Sequence, residues 1–298
     1  MTSWFWNAEE RRLRALWRIL LQVVVMFVTV ALPVVGISEA ATWLLKSGRI
    51  PCSPQVFDKV MDILVGILMS GLVLLSLFVA GRWLDHRKFD DFGFRVNASW
   101  WKQYALGIAL ASQLMTLIFA AEFLAGWVDV IGYGHLSDPT LPWALAFIYP
   151  IIKALCVGVY EEAVHRGYHI INLKEGLVGV RGMTEKRAVV LAIILSLAFF
   201  GILHMRNPKA SVMSTYNLVV IGALFGGAYV FTGQLAMCMG LHTAWNLYQG
   251  WVLGFPVSGD GEITNLIHIQ QHGRIGSPAQ PSDRRVAFWA WPLRLWAS

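Results

Sequence analysis

The chain has 298 residues, 56% of them hydrophobic and only 14% charged, with 14 Trp and a formal net charge of +6. Its mean hydropathy is +0.55. A soluble domain carries about 25% charged residues, so this composition excludes an ordinary soluble globule and indicates a polytopic membrane protein. The positive balance is not a nucleic-acid signature, because no basic stripe is interleaved with aromatics and the Lys and Arg residues fall in loops between the apolar runs.

Trp4 to Arg18 reads as an amphipathic, Arg-rich arm, and residues 1–16 are expected to be cytoplasmic. No small-residue cleavage site follows the first apolar run, so that run is expected to be a retained helix and not a secretory signal. Ile19 to Ile37 holds 19 residues without a charge, Ile63 to Gly81 another 19, and Tyr104 to Ala121 a further 18. A spanning helix needs about 20 mostly apolar residues. The stretch from Ala210 to Gly259 has 50 residues with no Asp, Glu, Lys or Arg. It is too long for one span and suits two, broken near Thr232-Gly233.

The prediction is therefore an all-α, polytopic transmembrane helix bundle of about seven spans: 17–37, 60–83, 101–124, 141–165, 187–205, 212–231 and 234–254. Residues 17–140 form the N-terminal transmembrane helices and 141–259 the catalytic transmembrane domain. Residues 260–298 form a loose C-terminal tail, which closes on an interfacial aromatic patch at Ala287-Phe288-Trp289-Ala290-Trp291. With the N-terminus inside, the inside segments carry fourteen Lys and Arg and the outside loops five, before four Arg in the tail. The bias favours a cytoplasmic N-terminus, and Trp and Arg usage with compact loops points to a bacterial plasma membrane.

Local signals agree with these helices. Asp138-Pro139-Thr140 before Pro142 reads as a helix start, with Thr140 or Leu141 near the cap and Pro142 in the first turn. Thr184-Glu185 marks another. Gly222 and Gly226 form a small-xxx-small pair that permits close helix approach, or they are incidental in a glycine-tolerant helix. Cys52, Cys156 and Cys238 have no paired spacing, so zinc-finger and disulfide-framework readings fail.

The chemistry concentrates in the second half. Glu161 and Glu162 are adjacent near the end of an apolar stretch, and Arg166 follows one turn after Glu162. A carboxylate in or near hydrocarbon costs several kcal/mol unless paired or wetted, which makes it a functional-site candidate. Glu162 and Arg166 have ordinary helix ion-pair spacing. Glu161 is rotated about 100° away, so it is free to act as a general base. His204 follows Phe200 by four residues, and His242 and Asn246 are likewise four apart. Taken singly, each of these is as readily a core, interface or interhelical residue. Together they supply a base, a second imidazole and an amide donor, the parts that attack of water on a carbonyl needs.

The pattern Glu-Glu-x-x-x-Arg, then Phe-x-x-x-His, then His-x-x-x-Asn resembles the CPBP intramembrane peptidases, which include type II CAAX prenyl endopeptidases and proteins tied to bacteriocin processing or self-immunity. The resemblance covers roughly Trp143 to Gly259, with Gly167 after the arginine and Pro256-Val257-Ser258-Gly259 after the last span. It implies that Glu161 activates water, that His204 shares it, and that His242 and Asn246 form the oxyanion hole, supported by Glu162 and Arg166. It also implies glutamate-dependent hydrolysis without a cofactor or metal. The substrate would be a peptide or protein, lipid-modified or not, met among membrane lipid and with no nucleic acid involved. Two departures stand out: His165 occupies a position that is often aromatic in the family, and the tail does not look like a further span.

Three rivals remain. Glu161, His165 and His169 follow one another at four-residue spacing and could join His204 and His242 around zinc, although His-Glu-x-x-His is absent. In that case Glu161 would be the base and His204 and His242 the ligands, with an open fourth position. Otherwise His165 and His169 are expected to be solvated or headgroup-facing at the cytoplasmic end. The fold could also be a non-proteolytic scaffold or self-immunity protein, or a transporter.

Overall fold

The computed structural model describes residues 4–205, 207, 212–258 and 264–272. Two short strands, β1 (Trp6–Asn7) and β2 (Arg12–Leu13), fold the N-terminal arm back on itself. Helix α1 (Ala15–Met26) continues through a π-helical turn, Phe27–Ala31, into α2 (Leu32–Lys46). Helix α3 (Pro54–Ala80) starts on Ser53, whose hydroxyl accepts from the Val56 N–H, and ends in a second π turn, Gly81–Asp85. Helix α4 (Ala98–Leu124) is capped by Asn97. Helix α5 (Trp143–Glu162) runs through a π segment, Ala163–Ile170, into α6 (Ile171–Val178). Helices α7 (Glu185–His204) and α8 (Val212–Thr232) follow, and α9 (Leu235–Asn246) ends in a π segment, Leu247–Val252.

Each of the seven expected spans falls on a helix, and the architecture is a polytopic helix bundle. Among the described residues six helices are long and apolar enough to cross a membrane: Ala15–Lys46, Pro54–Asp85, Ala98–Leu124, Trp143–Val178, Glu185–His204 and Ser214–Thr232; the seventh expected span, 234–254, is not one of them. The first and fourth overrun their expected ends. The fourth continues to Val178, so Arg166 and Lys174 lie on helix and not in a loop. The expected break near Thr232-Gly233 is made by Gly233, at φ +63°. Thr184 caps α7 through the Arg187 N–H, as expected. The start of α5 differs by two residues, because Pro142 is the cap and Trp143 the first helical residue. Asp138 instead closes a turn ahead of the helix, accepting from the Thr140 N–H (2.9 Å) and hydroxyl (2.6 Å). Those hydrogen bonds hold its carboxyl below the usual carboxylate range.

The seventh helix is the most enclosed. α9 buries nearly every residue from Leu235 to Trp245, and it packs most extensively on α4 and α5. Missing side chains make this possible. A Cβ on Gly240 would stand 2.2 Å from the Tyr104 carbonyl, and one on Gly107 would stand 2.3 Å from the Met237 carbonyl. A Cβ on Gly158 of α5 would stand 2.4 Å from Thr243 Oγ1. Small residues let membrane helices approach this closely. The Gly222–Gly226 pair is also a genuine contact, since a Cβ at Gly222 would meet Leu197 at 2.3 Å and one at Gly226 would meet Ile193 at 3.2 Å.

One feature departs from an all-helical reading. β3 (Val128–His135) pairs antiparallel with β4 (Asn265–Gln271), from Val128 opposite Gln271 to His135 opposite Asn265. Residues 265–271 therefore belong to a ribbon and not to the loose tail expected for 260–298. The register slips between Val130 and Gly132, a bulge that leaves Ile131 without a partner and bends the strand. The Ala287-to-Trp291 patch lies outside the described residues, as do Arg206, Lys209 and Gly259.

The two ends of the bundle differ. At one end Arg18 of α1, fully buried, meets Asp85 at 2.5 Å and Glu175 of α6 at 2.8 Å. Arg12 joins Glu175 at 3.2 Å and the Asp85 carbonyl at 2.7 Å, and Arg87 also pairs with Glu175. This network ties the arm to the far ends of α3 and α6. The opposite end holds the starts of α3 and α5 and the ribbon.

Candidate active site

Glu161 and Glu162 close the α-helical part of α5, about 27 Å along the axis from Trp143 at 1.5 Å per residue. They sit near the middle of the long helix Trp143–Val178. Glu162 is completely buried. Its Oε1 lies 3.1 Å from Arg166 Nη1 and 2.7 Å from His242 Nδ1. Neither terminal nitrogen of Arg166 has an aligned hydrogen bond, so its contact with Glu162 is mainly Coulombic. The guanidinium is boxed in by the rings of Phe200 (5.0 Å) and Phe225 (5.7 Å) and by Gly222. Gly222 thus gives room to a charged group as well as to a helix.

Glu161 faces the other way, into a cavity of about 470 Å³ lined also by Tyr149, Lys153, Tyr160, His204, Asn246 and Trp251. Its Oε2 lies 3.8 Å from His242 Nε2. His242, held in α9 under Phe225, therefore stands between the two carboxylates, with one ring nitrogen toward each. His204 ends α7, and its Nδ1 lies 2.9 Å from the Phe200 carbonyl. A carbonyl oxygen only accepts, so Nδ1 carries the hydrogen and Nε2 of the neutral ring is an acceptor. The same logic applies to His242, since an ionised Glu162 accepts from Nδ1–H.

The sequence-predicted set thus comes together. Glu161, His204 and Asn246 share one cavity, His242 reaches Glu161, and Glu162 and Arg166 form the support behind them. The π segments begin directly after Glu162 and directly after Asn246, and such segments occur disproportionately at functional sites. Helix α3 contributes Lys59 to the lining, so the cavity is not built by the last four spans alone. The rim is closed where Ser137, after β3, bonds Thr264, before β4 (Oγ to Oγ1 3.1 Å).

Two expectations fail. His165 and His169 are buried, at 6% and 3% exposure, and are not solvated. They pack against Phe199 and Phe200 of α7, with ring centroids 4.9 to 6.0 Å apart. The π winding bonds residue i to i+5, so four-residue spacing no longer lines these residues up with Glu161. Among the described residues no group of three or more His, Cys, Asp or Glu is arranged to hold a metal ion. The placing of every Lys and Arg in loops also fails, because Lys153 lies inside α5 and lines the cavity. It is the only cation between Trp143 and Glu162, a signal open to a closer reading of the sequence.

A buried ion pair, an imidazole between two carboxylates, a second imidazole and an amide thus surround a polar cavity deep in apolar helices. Residues 142–248, which hold all six of these residues, match the family model described as type II CAAX prenyl endopeptidase Rce1-like. No curated protein and no solved structure matches the chain.

Proposed function

We propose that the protein is an intramembrane endopeptidase that hydrolyses a peptide bond with a water activated by Glu161. The observation that carries this is the convergence of Glu161, His204 and Asn246 on one cavity, with His242 Nε2 3.8 Å from the Glu161 carboxylate.

The Glu161 carboxylate takes a proton from a water that also donates to His204 Nε2. The hydroxide oxygen attacks the scissile carbonyl carbon and opens its C=O bond. The oxyanion receives hydrogen bonds from the Asn246 amide and from His242 Nε2–H. For that role the His242 ring carries both protons, with Nδ1–H held by Glu162. Glu161 then returns its proton to the leaving amine as the C–N bond breaks. Glu162 and Arg166 act through His242 and touch no reacting atom.

The substrate is a peptide or protein, of the lipid-modified CAAX type on the family's chemistry. The membrane is a bacterial plasma membrane, with the arginine-rich arm in the cytoplasm. The test is purified protein and a fluorogenic membrane peptide. Glu161→Gln is expected to lower turnover by about 10²–10⁴-fold without changing thermal stability, and unchanged turnover refutes the mechanism. A chelator is expected to leave turnover intact, and loss that added zinc restores favours a metal mechanism instead.

A further inference from the structure

Exposed tryptophans and exposed cations gather at the arm's end of the bundle, away from the cavity. Arg82 and Trp83 (63% exposed) lie in the π turn that closes α3. Trp101 (57%) and Lys102 lie near the start of α4, and Trp4 (87%) and Arg11 belong to the arm. All three cations are exposed. Helix ends such as these lie where a membrane chain leaves hydrocarbon, the level at which indole rings settle among lipid headgroups.

The arm is a built surface. β2 lies against the π turn, where Arg12 Nη1 donates to the Asp85 carbonyl at 2.7 Å. Trp17 Nε1 donates to the Trp4 carbonyl at 3.2 Å, and Phe5 packs on Trp17 with ring centroids 4.7 Å apart. Of the acids in the arm and the π turn, Glu10 pairs with Arg12 and Asp85 with Arg18. Only Glu9, at the hairpin tip, pairs with no cation among the described residues. Among the same residues no carboxylate stands within ion-pair distance of Arg11, Arg82 or Lys102. This surface therefore carries more positive charge than its own acids balance.

We propose that Arg11, Arg82 and Lys102, set among Trp4, Trp83 and Trp101, form a collar that binds the headgroups of anionic phospholipids. Charge complementarity selects the occupant. A phosphatidylcholine headgroup cancels its phosphate with its own choline, whereas phosphatidylglycerol keeps a net negative charge for the collar to meet. A cation close to an anionic leaflet favours it by about fivefold. The hairpin is already folded and fixed to α3, so little further ordering opposes binding.

The test places the full-length protein in phosphatidylcholine vesicles. Trace spin-labelled phosphatidylglycerol or spin-labelled phosphatidylcholine is added, and electron spin resonance reads the fraction of each that the protein immobilises. The wild type is expected to retain phosphatidylglycerol about fivefold over phosphatidylcholine at low salt. Sodium chloride at about 1 M, where the screening length is about 3 Å, should bring the ratio toward one. Arg11→Gln/Arg82→Gln/Lys102→Gln should do the same at low salt with an unchanged melting temperature, because all three side chains are exposed. Arg11→Lys/Arg82→Lys/Lys102→Arg should keep the wild-type ratio. Equal retention of the two lipids by the wild type overturns the proposal with no variant needed, as does a preference that salt leaves intact. A preference that survives the triple Gln change overturns it too. Lipid retention is read without turnover, so an inactive protein leaves this result standing and a lipid-indifferent one leaves hydrolysis standing.

Discussion

Glu162→Gln tests the support behind the site. The substitution keeps shape and volume but removes the only charge that balances Arg166 among the contacts described, 3.1 Å away. Both side chains are essentially unexposed, at 0% and 1%, so solvent screens neither. At an effective dielectric near 20 the lost attraction is about 5 kcal/mol. The amide recovers part of this by accepting from the His242 Nδ1–H at the old 2.7 Å contact. The net expectation is a loss of about 3–5 kcal/mol, as for other buried pairs broken on one side. At roughly 2 °C per kcal/mol for a chain of this size, the melting temperature in detergent should fall by about 6–10 °C. The double variant Glu162→Gln/Arg166→Met removes the orphaned cation and should recover most of that fall. Turnover should stay low in both, because His242 no longer has an anion behind it. A single variant that melts with the wild type refutes the reasoning, as does a double variant less stable than the single one.

Three further outcomes can be checked. His165→Phe should melt at or above the wild-type temperature and keep its activity, because a buried ring with an unpartnered Nδ1 gives way to an apolar one among Phe199 and Phe200; a folded but inactive variant would revive the metal reading. Gly240→Ala should cost about 1–3 kcal/mol, read as a lower melting temperature, since its Cβ must push away the Tyr104 carbonyl; an unshifted melt would deny the close α4–α9 contact. Cys52 is exposed ahead of α3, at the cavity's end of the bundle, whereas Cys156 and Cys238 are buried. With the arm in the cytoplasm, a membrane-impermeant maleimide should label Cys52 on intact cells, and labelling only after lysis reverses the orientation.

The spans were legible because uncharged runs such as Ile63 to Gly81 have one physical explanation. The site was legible because Glu162 with Arg166, and His242 with Asn246, carry their geometry in a four-residue spacing. The contacts that hold α9 against α4 were not, because Gly107 and Gly240 contribute by what they lack. The burial of His165 and His169 follows from a π segment that side-chain periodicity does not announce. The ribbon is not legible, because Val128–His135 and Asn265–Gln271 are far apart in sequence and each is too short and too rich in Gly, His and Gln to read as a strand by itself. Lys153 is a single charge in an otherwise apolar run, too little to set it apart from an ordinary span.

That ribbon also orders events in time. About 130 residues separate its strands, so at 5–20 residues per second the first waits roughly 7–26 s on the ribosome for its mate. Every described helix has emerged by then. The threshold of the chamber is thus the last of the described elements to be assembled, and the cavity stays open at that end until synthesis reaches the second strand.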